Sequence, residues 1–179
     1  SLPLLKLKIM ACPLALGFSR DCSDSVGGIE EFYLLERATV SAYTAVGHEV
    51  TAITDAGATW HKYELKKEIG SITAATTISP ENGTRFTEST LAFSINKFSA
   101  AKSNELKLMI LGQIVCIVKD ENGVYWGLGF QSWAEGASMS AMTGTAFGDR
   151  NGYDISILAK EKETPYAVAS SVVSGLIIV

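Results

Sequence analysis

Proline is scarce in this chain, and clusters of reactive side chains are scarcer still. Four prolines, Pro3, Pro13, Pro80 and Pro165, are spread over 179 residues, so no proline-rich linker divides it. The two histidines, His48 and His61, have no cysteine or histidine at ligand spacing, which leaves no zinc motif. HExxH, GxSxG, a Walker loop and GxGxxG are all missing. Gly127-Leu128-Gly129 follows an apparent strand but lacks the third glycine and the helix of a dinucleotide site. The three cysteines, Cys12, Cys22 and Cys116, read as reduced thiols of a protein folded in the cytosol, although the Cys12–Cys22 spacing permits a bridge. No apolar run reaches the ~18–20 residues of a membrane span. Residues 1–10 carry Lys6 and Lys8 inside their apolar stretch and make a poor signal peptide. Leu5, Leu7 and Ile9 alternate with those lysines, as in an extended arm or strand. Fifteen Lys and Arg against nineteen Asp and Glu give a net charge of −4. That is not the basic footprint of a protein that grips nucleic acid, whereas a weakly acidic wall would let DNA slide past.

What the chain does have is apolar, β-forming sequence. Hydrophobic residues make up 47% of it, and the mean hydropathy of +0.19 is high for a small monomer. Strand signals recur between Gly/Asn/Asp clusters: residues 29–35, 48–54, 59–65, 69–78, 84–98, 113–119, 124–130, 137–147 and 152–160. Asn-Gly turns mark hairpins at Asn82-Gly83 and Asn122-Gly123. The first joins the two longest arms, whose Thr, Ser and Ala side chains can bury little core. Such a hairpin is expected to project or to pair with another chain. One helix is expected over about 99–112, with Ser99 as N-cap, Gly112 at the C-cap, and Ala101, Leu108 and Leu111 near one face. The apolar tail 166–179 is an aggregation hazard unless it adds a strand to its own or a neighbouring sheet. These elements predict a single mainly β structural domain over 1–179. It would be a β-sandwich or barrel with one flanking helix, an N-terminal arm (1–28) and the C-terminal tail.

Residues that could carry chemistry have simpler readings. Glu30 and Glu31 are adjacent on a strand and so should point to opposite faces. Asp120-Glu121 belongs to a turn, and Asp149-Arg150-Asn151-Gly152 lacks the later glutamate of a calcium loop. Trp60, Trp126 and Trp133 could stack sugars, but the first two sit in strands and suit core packing. The expectation is a protein without catalytic residues, metal or cofactor.

Several phrases, in order, carry a resemblance. They are Gly27-Gly28-Ile29 leading to Tyr33-Leu34, Glu81-Asn82-Gly83-Thr84 between Thr-rich arms, and Asn104-Glu105-Leu106-Lys107 in the helix. They continue with Val118 to Trp126, Thr143-Gly144-Thr145-Ala146-Phe147-Gly148-Asp149, and Asn151-Gly152-Tyr153. Over roughly residues 10–166 the chain resembles the major tail (tail tube) proteins of bacteriophages, of the type that infect Bacteroidetes. The resemblance implies a β-sandwich subunit with a flanking helix and a long hairpin. Its copies would form stacked, usually hexameric rings that close one barrel around a lumen for DNA. It further implies contacts with other tail proteins, transient non-specific passage of DNA, and a place in the virion tail after folding in the host cytoplasm. Candidate inter-subunit contacts are Ile72, Thr76, Thr77, Glu81, Asn82, Thr84 and Phe86 of the hairpin, and Val172, Val173, Leu176 and Ile177 of the tail. Two other readings fit the composition: a capsid decoration, head-fibre or tail completion protein, and a carbohydrate-binding module.

Overall fold

The structure, a computed structural model, describes residue 14 and residues 16–179; the expectations for Leu5–Ile9 and Cys12 lie outside these. Among the described residues twelve strands and two α-helices follow one another, with a 3-10 turn at Arg37–Thr39. The strands are β1 (Ile29–Glu36), β2 (Ala42–Val46), β3 (Glu49–Thr54), β4 (Thr59–Glu64), β5 (Ser71–Ser79) and β6 (Thr84–Asn96), then β7 (Ile114–Asp120), β8 (Tyr125–Leu128), β9 (Ala134–Met142), β10 (Gly152–Glu161), β11 (Tyr166–Val168) and β12 (Ile177–Ile178). Helix α1 (Ala100–Leu111) lies between β6 and β7, and the short α2 (Ser170–Ser174) between β11 and β12. The fold is mainly β, an open mixed sheet that doubles back on itself.

The two most apolar runs of the sequence become its centre. In β1 and β7 consecutive residues are buried on both faces, which explains why FYLL and IVCIV do not alternate with polar residues. The strands pair antiparallel, Phe32 opposite Val118 and Leu34 opposite Cys116. Even-numbered Phe32, Leu34, Cys116 and Val118 enter a core with Leu91 and Phe93 of β6 and Tyr153, Ile155 and Ile157 of β10. The rings of Phe32 and Phe93 sit 4.6 Å apart where the two layers meet. Odd-numbered Tyr33, Leu35, Val115 and Ile117 enter a second core with Val50, Trp60, Phe130, Val168 and Val173.

Between residues 48–54 and 59–65, Asp55-Ala56-Gly57 forms a turn, closed by the Ala58 N–H donating to the Asp55 carbonyl. Asp55 accepts the Gly57 N–H (3.2 Å) and the Trp60 indole N–H (2.9 Å). The strands it links nonetheless part company: β3 pairs with β2 and β11, and β4 with β1 and β12. Trp60 is wholly buried. Burying an indole is worth more than a local hairpin, and only the second core offers it a place. Strand β2, in a segment with no clear alternation, owes its existence to pairing with β3.

Helix α1 begins as expected, with the Ser99 side chain accepting the Lys102 N–H. Its last turn closes through Gly112, whose N–H donates to the Leu108 carbonyl. The buried face differs from expectation: Leu106 and Met109 face the core, while Leu108 and Leu111 stay in solvent. Apolar residues surround this helix, so periodicity could not choose the face. The choice is made by β9, where a Cβ on Gly136 would stand 2.8 Å from the Ile110 Cα. Gly136→Val should therefore push the helix off its bed, lowering stability by about 1–3 kcal/mol in denaturant titration.

The apolar tail finds partners within the chain. β11 inserts between β3 and β8, and β12 runs parallel to β4. Val173 is buried, and Val172, Leu176 and Ile178 pack on the second core. Of the four tail residues expected to contact neighbours, only Ile177 remains largely exposed, at 52%.

Candidate assembly surface

Strands β9, β10, β6 and β5 form a continuous antiparallel half-sheet, joined to the rest at Ile114–Ala134 between β7 and β9. One of its faces is core. Register places on the other Ser138 and Ser140 of β9, Asp154, Ser156, Leu158 and Lys160 of β10, Thr84, Phe86, Glu88, Thr90, Ala92 and Ser94 of β6, and Ser71, Thr73, Ala75 and Thr77 of β5. Small hydroxyl side chains dominate. Glu88, Glu135 and Asp154 are set against Lys160, so the face is weakly acidic. Its charges are largely matched on the spot: Lys160 reaches Glu88 at 3.0 Å, and Asp154 pairs with Arg150 and accepts from Ser94. The Arg150 hydrogen bond, then that from Ser94, holds the Asp154 carboxyl below its usual range.

Both lateral edges of this half-sheet are open among the described residues. β5 pairs only with β6, and β9 beyond Ala134 pairs only with β10. β5 is nine residues long, carries no charge and no proline, and has no register shift against β6. It is almost wholly exposed, only Ile72 and Ser79 being partly covered. Monomeric proteins normally blunt such an edge with lysine, proline or a bulge. The β2 edge at the far end of the whole sheet is shorter and does carry a bulge, between Thr44 and Ala45.

The hairpin residues expected to make contacts fall into three groups. Ile72 is partly buried against the first core, and Thr76 bonds across the pair to Thr87 (2.8 Å); both help hold the hairpin on its own domain. Thr77, Thr84 and Phe86 share the outer, hydroxyl-rich face. Glu81 and Asn82 form the tip, where the Asn82 amide donates to Ser79 Oγ (3.1 Å). Sequence reasoning missed β9 as the opposite edge, because its open side is defined by which strand fails to reach it. The coil before β1 presents Leu14, Leu16 and Phe18 almost fully exposed.

Among the described residues no group of three or more His, Cys, Asp or Glu is placed to hold a metal ion, and no helix is long and apolar enough to cross a membrane. Glu30 and Glu31 do not diverge as strand alternation predicts. A register shift between Ile29 and Glu31 brings both to Lys119, at 2.8 and 4.0 Å. Glu31 also meets Lys62 at 2.8 Å and receives the Tyr33 hydroxyl. Burial resists ionisation of Glu31, but the hydrogen bonds from Lys62 and Tyr33 and the charges of both lysines outweigh it and lower its pKa. A lowered folded-state pKa stabilises above the ordinary carboxyl value of 4.5, and this contribution is lost as pH falls through the folded value. Glu31→Gln should cost about 1–2 kcal/mol at pH 7 and flatten the acid limb of the stability curve, read by urea melts from pH 7 to 3.

Comparison with protein-family models, curated proteins and solved structures finds no match for this chain.

Proposed function

We propose that this chain is a virion structural protein without catalytic turnover: a tail tube subunit whose copies form rings that stack around a lumen for DNA. The observation that carries the reading is the half-sheet β9–β10–β6–β5 with two open edges and one small, hydroxyl-rich face. Its four strands alternate in direction, so β5 and β9 run opposite ways. A rotation about a ring axis along the strands preserves direction, and β5 of one copy then meets β9 of the next antiparallel. Repeating that contact continues the ladder and closes a barrel with no free edge. The polar face would line the lumen, where hydroxyls and a slight excess of carboxylates hold no phosphate. The resemblance to phage tail tube proteins sets the expected ring size at six.

Negative-stain electron microscopy of the untagged protein tests this. Hollow rings or tubes with a central channel are expected. A protein that stays monomeric at every concentration, or binds only to a preformed shell, would sink the tube reading in favour of a decoration role.

A further inference from the structure

The two ends of the half-sheet are not alike. At one end the loop between β9 and β10, residues 143–151, lifts Phe147 fully into solvent, at 114% of reference exposure. This loop is firmly built. Asp149 accepts the backbone N–H groups of Thr145 (2.9 Å) and Ala146 (2.8 Å). Asn151 accepts the Phe98 N–H at 2.7 Å, and Arg150 pairs with Asp154. An aromatic ring held in water on a pre-shaped loop has the form of an interface anchor, because little ordering entropy remains to be lost when it docks.

At the other end, where Glu161 of β10 pairs with Thr87 of β6, lies an open depression of about 580 Å³. It is lined by Phe86, Gln131, Ser132, Lys160, Glu161 and Lys162. It too is built: Glu161 is buried and accepts the Gln131 N–H at 3.1 Å, which fixes the loop that forms one wall. The depression offers an aromatic wall in Phe86 and two lysines at its rim, and the loop offers Phe147 beside the exposed carboxylate of Asp149. Ten paired residues of β10 separate the two features, roughly 30 Å along the strand.

We infer that Phe147 of one copy seats in the Phe86/Ser132/Lys162 depression of another, making this the contact by which successive rings stack. A knob and a socket on opposite ends of one molecule cannot satisfy each other in a closed pair. They join head to tail and propagate as a filament. Asp149 then approaches Lys162, which has no ion-pair partner among the described residues, whereas Lys160 already pairs with Glu88 at 3.0 Å; this sets the register of the contact. This rests on the tube reading above, and it assigns ring stacking to a site separate from the β5 and β9 edges.

The test uses two variants, each purified as rings. Phe147→Ala removes the knob and keeps the socket; Ser132→Trp fills the socket and keeps the knob. Thermal melts confirm that both retain the parental fold. Each alone should give single rings, with mean stack length by electron microscopy falling about tenfold or more, since every subunit of a ring loses its anchor together. Mixed in equal amounts, they should form two-ring stacks and nothing longer, since only one knobbed face meets one open socket. Tubes of parental length from Phe147→Ala, or no ring pairs in the mixture, overturn the contact while leaving the tube reading intact. Absence of rings from the unmodified protein overturns the tube reading, and the stacking contact falls with it.

Discussion

Two lysines on the open edge of the half-sheet, Thr73→Lys with Ala75→Lys, should abolish the proposed ring formation and leave the subunit folded. Both positions are exposed on β5, and neither side chain enters a core. Exposed substitutions of this kind usually shift stability by no more than about 0.5 kcal/mol. Edge-to-edge pairing is a different matter. Each joint would have to place two ammonium groups on the lumen face beside an incoming strand, where they crowd and repel their copies around the ring, and lysine is the residue with which natural sheets prevent such pairing. A ring repeats the joint at every subunit, so the penalty multiplies around the closure. Sizing chromatography with light scattering should find a monomer at concentrations where the parent is assembled, with an unchanged circular dichroism spectrum and melting midpoint. Rings that persist in this variant would remove β5 from the interface.

Ending the chain after Pro165 should have the opposite signature, a failure of folding rather than of assembly. The removed segment supplies β11, the strand that joins β3 to β8, and β12, which covers β4. It also takes Val168, Val172, Val173, Leu176 and Ile178 out of the second core. At ~1.5–3 kcal/mol for each fully buried aliphatic side chain, the loss rivals the ~5–15 kcal/mol that holds an ordinary domain together. Trp60, wholly buried in the intact chain, would lose cover from α2 and β12. The truncated protein should show red-shifted tryptophan emission and no cooperative melt. A truncated chain that melts like the parent but fails to assemble would return the tail to the role of an inter-subunit contact.

The difference between these predictions follows from what local sequence can express. FYLL and IVCIV announce buried strands because no polar residue interrupts them, and both became central strands. Ser99 announces a helix start because a hydroxyl can accept a free N–H wherever the chain goes next, and it does so for Lys102. The long hairpin was legible for the same reason, since Asn-Gly and two extended arms are a local pattern, and β5 pairs with β6 over all nine of its residues; that β6 would lie inside the sheet against β10 rather than project was not. The buried face of α1 was not legible. Leu108 and Leu111 are as apolar as Leu106 and Met109, and the face was decided by a glycine twenty-four residues after Gly112, at Gly136 on another strand.

The sequence by itself determined that the chain is mainly β, where its longest hairpin turns, and where its principal helix begins and ends. These depend on side-chain size, branching and hydrogen bonding within a few residues. Only the tertiary structure decided that β3 and β4 separate after their turn, that Glu30 and Glu31 converge on Lys119, that the tail belongs to its own core, and that β9 is the second open edge. Each of these is a competition between segments distant in the chain for the same buried surface or the same row of backbone donors and acceptors. The winner is set by the total apolar area removed from water, a property of the whole packing that no short stretch of sequence contains.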